Sequence, residues 1–256
     1  MLPNKKIIAF DLDGTLAPSK SVISEHMAIL LKKLIEKKIV VVISGGKFEQ
    51  FMTQFFSSFN HYENMLAFID NLVLLPTSGT QRYSFNKIKK EWELVDKEPL
   101  GDEVKVKIKK LLQDIIDSGS YDIPANPFGD IVEDRDTQIT FSGRGQQAPI
   151  EEKRAWDPDK KKRQKIKEAI EGKMPEVSMY VNAYSSIDIL PKGFNKAIGL
   201  SHFLDKVGLS KSDVLFVGDG LFPGGNDYSI YTAHFDTFAV KGPDDTERLL
   251  EGWLAT

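Results

Sequence analysis

The stretch Ile7-Ile8-Ala9-Phe10-Asp11-Leu12-Asp13-Gly14-Thr15-Leu16 decides how the rest of the chain is read. Its first four residues are apolar without alternation, the pattern of a strand buried on both faces, and they run directly into a polar loop. Asp11 and Asp13 are two residues apart, so on an extended chain their carboxylates lie on one side. Gly14 lets the backbone turn sharply and present N–H groups to an anion.

Outward from this stretch, Ser24 caps a helix whose Met27, Leu30, Leu31 and Leu34 recur at helical spacing, with Lys32, Lys33, Lys37 and Lys38 on the remaining face. Ile39 to Ile43 is a second apolar strand, ending in Ser44-Gly45-Gly46. Two such strands around a helix form a βαβ unit, hence a parallel sheet with a right-handed crossover. A helix over Glu49 to Phe59 and apolar segments at Leu66 to Asp70 and Leu72 to Leu75 extend the pattern. From Thr77 the rhythm changes. A hairpin (Gln81 to Phe85, Glu91 to Val95), a helix (Leu100 to Ser118), paired strands (Ile131 to Glu133, Gln138 to Ser142), a helix (Asp159 to Gly172) and two more strands (Val177 to Val181, Ser186 to Leu190) read as an α+β module. After Pro191 the first rhythm returns: a helix to Val207, the strand Val214 to Val217, an apolar stretch Thr237 to Val240 and a closing helix Asp244 to Trp253. The expected organisation is an α/β, Rossmann-like parallel-sheet core of residues 1–77 and 191–256, with an α+β cap of residues 78–190 inserted between its halves.

The 256 residues are 41% hydrophobic and 28% charged, a composition that can bury a substantial core and excludes a disordered chain. A net charge of −3 argues against nucleic acid as a partner. Apolar runs fall far short of the roughly 20 residues that cross a bilayer, so no membrane is expected. The first apolar run meets Asp11 too soon for a secretory signal, and the expected location is cytoplasmic. Absence of cysteine excludes disulfides, thiolate metal sites and cysteine nucleophiles, which favours hard cations held by oxygen.

Three strand ends carry the informative groups: Asp11 and Asp13, Ser44, and Asp219. Ligands of open α/β sheets bind outside the carboxyl ends of the strands, so these groups converge on one expected site. Carboxylates so placed repel unless a cation lies among them, and Asp11, Asp13 and Asp219 are expected to hold Mg²⁺. Beside Mg²⁺ a carboxylate can attack phosphorus, the role that fits Asp11. Asp13 then serves as acid and base, while Ser44 and Lys196 neutralise the transferring oxygens.

Asp11 to Leu16, Ser44, Lys196 and the segment Gly218 to Asp227 resemble, in order, the four motifs of the haloacid dehalogenase-like phosphotransferases, over essentially the whole chain. The insertion point is similar to that of their type IIB cap, and Pro223-Gly224-Gly225-Asn226-Asp227 resembles the eukaryotic-type phosphomannomutases within that superfamily. The resemblance implies a phosphorylated sugar as substrate, support of the metal or of Lys196 by Asn226 and Asp227, and substrate contacts from Gly14, Lys20 and Gly45. In the cap it implies Arg135, Arg144, Ser186 and Asp188 for a second phosphate and the sugar, as guanidinium groups grip phosphate bidentately. It also raises the prospect of a homodimer through the cap. Lys20 stands where the family pattern has an arginine, either Lys153 or Arg154 could supply a third cap cation, and the Ser142 to Gln147 loop is short. These departures put a phosphatase first, a phosphomannomutase-type mutase as the alternative, and a non-catalytic sugar-phosphate binder third.

The run Asp159 to Arg163 and on to Lys165 reads most simply as a solvated helix face. His26, His61, His202 and His234 show no ligand spacing, and Trp92, Trp156 and Trp253 read as packing residues, with Trp156 also a candidate for closing the site entrance.

Overall fold

The computed structural model describes residues 1–59 and 66–255; His61 lies outside them. Eleven strands and eight α-helices, with short 3₁₀ turns, are described. They fall into two compact units, Met1–Lys97 with Asn195–Thr256, and Glu98–Phe194. The first unit is built on β1 (Ile7–Asp11), β2 (Ile39–Ile43), β3 (Leu72–Leu75), β4 (Gln81–Asn86), β5 (Glu91–Lys97), β10 (Val214–Gly218) and β11 (Asp236–Ala239). They form one sheet in the order β11-β10-β1-β2-β3-β4-β5. The first five strands in that order are parallel, and the β4–β5 hairpin adds antiparallel pairs at one edge.

The apolar runs explain this sheet. Ile8, Phe10, Val40 and Val42 pack into one core with Met27, Leu31 and Leu34 of α1 (Glu25–Ile35) and Leu250 of α8 (Pro243–Leu254). Their neighbours Ile7, Ala9, Val41 and Ile43 pack on the opposite face with Ala197, Leu200, Phe203 and Leu204 of α6 (Lys196–Val207). Alternate residues thus face two layers of helices, so a continuous apolar run is required, and each fully buried Leu, Ile or Phe side chain contributes roughly 1.5 to 3 kcal/mol. Strand order reverses at β1, with β2 on one side and β10 on the other. The crevice at their carboxyl ends is therefore where a ligand site belongs.

The hairpin is where the architecture differs from the expected boundary. Tyr83 of β4 pairs with Leu74 of β3, and Tyr83, Phe85 and Trp92 pack against the first core. Trp92 meets Phe56 and Phe85 edge-on at 5.4 and 5.6 Å. The change of rhythm at Thr77 marks a switch from parallel to antiparallel pairing, and the aromatic face of the hairpin keeps it on the large sheet. The expected helix over Glu49 to Phe59 also divides, into α2 (Phe48–Gln54) and a 3₁₀ turn at Phe56–Phe59.

The second unit is a four-stranded antiparallel sheet in the order β6-β7-β9-β8, formed by β6 (Val132–Asp134), β7 (Ile139–Ser142), β8 (Val177–Asn182) and β9 (Ser186–Pro191). Ile108 and Leu112 of α3 (Asp102–Asp117) and Ile166 and Ile170 of α5 (Lys161–Glu171) pack with Ile139, Phe141, Ile187 and Ile189. A short helix absent from the sequence reading, α4 (Ile150–Trp156), ends on Trp156, which is buried and donates to the Asp122 carbonyl at 3.0 Å. Trp156 is thus a core residue of this unit. The basic run is not uniformly solvated either: Arg163 is buried, bonded to Asp157 at 2.8 Å and to the carbonyls of Asn182 and Ala183. In the first unit, the five-residue α7 (Tyr228–Thr232) was likewise not foreseen. No helix among the described residues is long and apolar enough to cross a membrane.

A strained turn ties the site loops to α6. Thr77, Ser78 and Gly79 all have positive φ (50°, 59° and 84°), a conformation that a β-branched residue such as Thr77 adopts only when its surroundings impose it. The N–H groups of Thr77 and Ser78 donate at 2.8 Å to the carbonyls of Gly46 and Ser44. On the other side the turn lies against Gly199 of α6, where a Cβ would fall 2.5 Å from the Ser78 carbonyl oxygen and 2.8 Å from the Gly79 Cα. Alanine normally favours a helix interior by about 1 kcal/mol over glycine. Here backbone has to move, so Gly199→Ala is expected to destabilise by about 1 to 3 kcal/mol in urea unfolding; a stabilised variant would show that the turn yields freely.

Candidate active site

Asp11 is the last residue of β1, paired in register with Ile43, so Ser44 follows at the same carboxyl edge. Gly218 ends β10 beside it and delivers Asp219. Lys196 is the first residue of α6, whose start is fixed by Asn195 accepting from the Ile198 N–H at 3.1 Å. These elements place the Lys196 ammonium between two carboxylates, 2.6 Å from Asp11 Oδ1 and 2.7 Å from Asp227 Oδ1. All three side chains are at most 4% exposed. Such burial is tolerable only because the charges pair, and breaking one partnership would strand the others.

The surrounding loop completes the arrangement. Asn226 Nδ2 donates to Asp11 Oδ2 at 3.4 Å, and the Gly220 N–H to Asp227 Oδ2 at 3.1 Å. The Thr15 hydroxyl accepts from the Asp219 N–H at 3.0 Å and donates to Asp219 Oδ1 at 3.3 Å. Thr246 of α8 in turn donates to the Thr15 carbonyl at 2.8 Å. Gly14, at φ 90°, sits where a Cβ would meet Asp219 Oδ2 at 2.5 Å, so the site tolerates no side chain there.

Oxygens of Asp11, Asp219 and Asp227 lie within 4.8 Å of one another. Three carboxylates and one ammonium leave two negative charges in excess, and the donors are all hard oxygens. That set fits a divalent hard cation. It differs from the expected trio in one member. Asp13 lies beyond the end of β1, in a tight turn closed by the Gly14 N–H donating to the Ala17 carbonyl at 2.7 Å. Its oxygens accept from the Lys20 N–H at 2.6 Å and from Gln50 Nε2 at 3.2 Å. Asp227 takes its place in the cluster.

Electrostatics follow the same imbalance. Burial pushes the Asp11 carboxyl well above its usual range; Lys196 opposes this, while Asp227 and Asp219 add to it. Burial also raises Asp219, with Asp227 adding and Lys196 opposing. For Lys196, burial disfavours the charge, yet the attraction of Asp11 and Asp227 outweighs it and the net shift is upward. The ammonium stays charged, and the crowding falls on the carboxylates.

Ser44 is buried, its hydroxyl accepting from the Gly46 N–H at 3.2 Å, and Gly45 adjoins it. Lys20 is exposed with φ 57°. Within the second unit, Arg135 pairs with Glu133 at 2.7 Å, and Arg144 with Glu152 at 2.9 Å. The Arg144 Nε is buried without a hydrogen-bond partner among the described residues. Asp188 accepts from Thr140 at 2.9 Å and Asn182 at 2.8 Å, and Ser186 lies opposite Ser142 in the sheet. Lys153 is buried and donates to the Gln146 carbonyl, whereas Arg154 stacks on Tyr184. Gln50, Thr15 and Thr246 were not singled out from sequence; hydroxyls and a neutral amide leave no charge pattern to read.

A sequence profile described as eukaryotic phosphomannomutase matches residues 27–256. The chain belongs to the eukaryotic phosphomannomutase family. Over 98% of its length, and 98% of theirs, it is 28% identical to a phosphomannomutase of Babesia bovis. It is 29% identical to that of Encephalitozoon cuniculi, covering 96% of this chain and 93% of the relative. For the Saccharomyces cerevisiae enzyme the figures are 28% identity, 95% and 92%. The fold is also that of a haloacid dehalogenase-like hydrolase from Bacteroides thetaiotaomicron (TM-score 0.63, 16% identity, 97% of this chain and 99% of that one). An N-terminally truncated IMP-nucleotidase of Plasmodium falciparum gives a TM-score of 0.70 at 16% identity, over 98% and 70%. The phosphomannomutase relatives favour the mutase alternative over the phosphatase placed first from sequence.

Asp219 holds its proton more tightly in the folded than in the unfolded chain, so without metal its contribution to stability falls as pH rises from the ordinary carboxylate value through the raised folded one. In urea unfolding with EDTA, Asp219→Asn is expected to gain on the native chain as pH rises through that window. Excess MgCl₂ should stabilise the native chain more than the variant. Parallel pH profiles, with equal Mg²⁺ responses, would contradict the cluster.

Proposed function

We propose that the chain is a Mg²⁺-dependent sugar phosphomutase of the phosphomannomutase type, transferring phosphate through Asp11. The observation that carries the chemistry is the buried Lys196 ammonium between Asp11 and Asp227, with Asp219 adjacent. Family membership supports the mutase outcome. Asp11, Asp219 and Asp227 would hold Mg²⁺, which when bound supplies charge neutralisation for the phosphoryl oxygens and the carboxylates.

Lys196 engages Oδ1 of Asp11, and Oδ2, which accepts only a long bond from Asn226 among the described residues, is the oxygen that attacks phosphorus. As that bond forms, the bond from phosphorus to the sugar oxygen breaks and Asp13 gives its proton to the departing oxygen. In the reverse transfer a sugar monophosphate presents its free hydroxyl, Asp13 removes the proton, and that oxygen takes the phosphoryl group as its bond to Asp11 breaks, giving the bisphosphate. Ser44 and Lys196 would neutralise the transferring oxygens, with Gly14, Gly45 and Lys20 contacting substrate and Asn226 orienting Asp11. For the cap, Arg135, Arg144, Ser186 and Asp188 are proposed to hold the second phosphate and the sugar. The unpartnered Nε of Arg144 has donor capacity for an oxyanion. A cytoplasmic location and a homodimer through the cap belong to the same proposal.

Supplying mannose 1-phosphate with a catalytic amount of hexose 1,6-bisphosphate and Mg²⁺ should give mannose 6-phosphate in excess of free phosphate. Free phosphate with no isomer would overturn the mutase reading in favour of hydrolysis. Asp11→Asn should lower turnover on the order of 10³-fold or more, and Lys196→Ala about 10²- to 10³-fold. Full function of Asp11→Asn would point to a binding protein.

A further inference from the structure

We propose that Gln50 is the positioning residue for Asp13, and that the buried Gln54 one helical turn on fixes Gln50 for this task. This rests on the phosphotransfer reading above. Gln50 and Gln54 are four residues apart on α2 and therefore share a face. Gln50 Nε2 donates to Asp13 Oδ2 at 3.2 Å and to Gln54 Oε1 at 2.8 Å. These bonds use both protons of one amide nitrogen, so the amide is oriented from two sides. The other Asp13 oxygen accepts from the Lys20 N–H at 2.6 Å. Gly46 makes the room: a Cβ there would collide with Gln50 Oε1.

Gln54 points to a role beyond packing. Gln54 is 5% exposed, and its own Nε2 is buried with no hydrogen-bond partner among the described residues. A leucine would fill that space without leaving a donor unsatisfied. The glutamine supplies an acceptor, and what it accepts is the Gln50 amide. The result is a chain from the helix interior to one carboxyl group: Gln54, Gln50, Asp13.

Asp13 Oδ1 accepts from a backbone N–H beyond its own turn and Oδ2 from a side-chain amide of α2, so the direction of the carboxyl group is set from two separate segments. In the step served, an Asp11 oxygen bonds to phosphorus, the bond from phosphorus to the sugar oxygen breaks, and the Asp13 proton passes to that oxygen. Gln50 touches none of the reacting atoms.

Leaving-group dependence separates this role from a general structural one. A departing sugar oxygen needs the Asp13 proton; acetate departing from acetyl phosphate does not. Phosphorylation of the chain is followed by rapid quench with Mg²⁺, using mannose 1,6-bisphosphate and, separately, acetyl phosphate. Gln50→Met keeps the side-chain length and removes the donor. It should slow phosphorylation by the bisphosphate about tenfold, the upper end of the scale for one lost side-chain hydrogen bond, and change the acetyl phosphate rate by less than about twofold. Gln54→Met, which removes the anchor alone, should give the same pattern with a loss of about threefold. Equal slowing with both donors, or no slowing with either, would overturn the proposal. A native chain that accepts phosphate from neither donor fails the phosphotransfer reading itself, and the proposal falls with it.

Discussion

A lysine ammonium buried between two carboxylates is the constraint on which the rest of this structure depends. Lys196 is 185 residues from Asp11 and 31 from Asp227 along the chain, so the pairing exists only if β1, β10 and the first turn of α6 meet at one end of the sheet. Each charge is almost inaccessible to water, and removing any one would leave the others without compensation in a low-dielectric setting. The sheet registers, the Asn195 cap and the hydrogen bonds from Thr15 and Gly220 all act on this point. Its excess of carboxylates over cations is a reason for a divalent metal to bind and for transferred charge to be neutralised there.

The two units divide the chemistry. The parallel-sheet unit holds every group proposed to act on the reacting phosphorus, whereas the antiparallel unit holds Arg135, Arg144, Ser186 and Asp188. In that second unit the cations already have carboxylate partners, Glu133 and Glu152. A phosphate held there as proposed would compete with those ion pairs, so its selection would rest more on shape and hydrogen bonding than on bulk attraction. In the proposed chemistry, hydrolysis and isomerisation of the sugar would differ in what meets phospho-Asp11 next, water or a hydroxyl.

Much of this was legible in the sequence because burial on both faces leaves a plain mark. Ile39–Ile43 has the expected bounds, and the polar residues closing β1 and β10 announced the site. Asp11, Asp219 and Lys196 do come together. Strand geometry groups the Asp13 carboxylate with that of Asp11, but the chain leaves the strand after Asp11 and turns, so the two-residue rule does not extend to Asp13 and the third carboxylate beside Asp11 and Asp219 is that of Asp227. The β4–β5 hairpin was given to the cap because its rhythm changed; rhythm reports pairing direction, and the aromatic face that keeps it on the large sheet is a tertiary fact. Arg163 shows the same limit, since a basic run conceals the one member that turns inward to Asp157. Gln50 and Gln54 could have been noticed as an i, i+4 amide pair just after two glycines, although amides carry no charge pattern.

The most direct test of the account is the identity of the phosphorylated residue. The chain is mixed with hexose 1,6-bisphosphate and Mg²⁺, quenched in acid, treated with borohydride and digested for peptide mass spectrometry. An acyl phosphate is reduced to an alcohol, so the account predicts that reduction at position 11 alone, dependent on the bisphosphate. Phosphate carried on any other side chain, or an unmodified Asp11 in a chain that still turns over substrate, would contradict it.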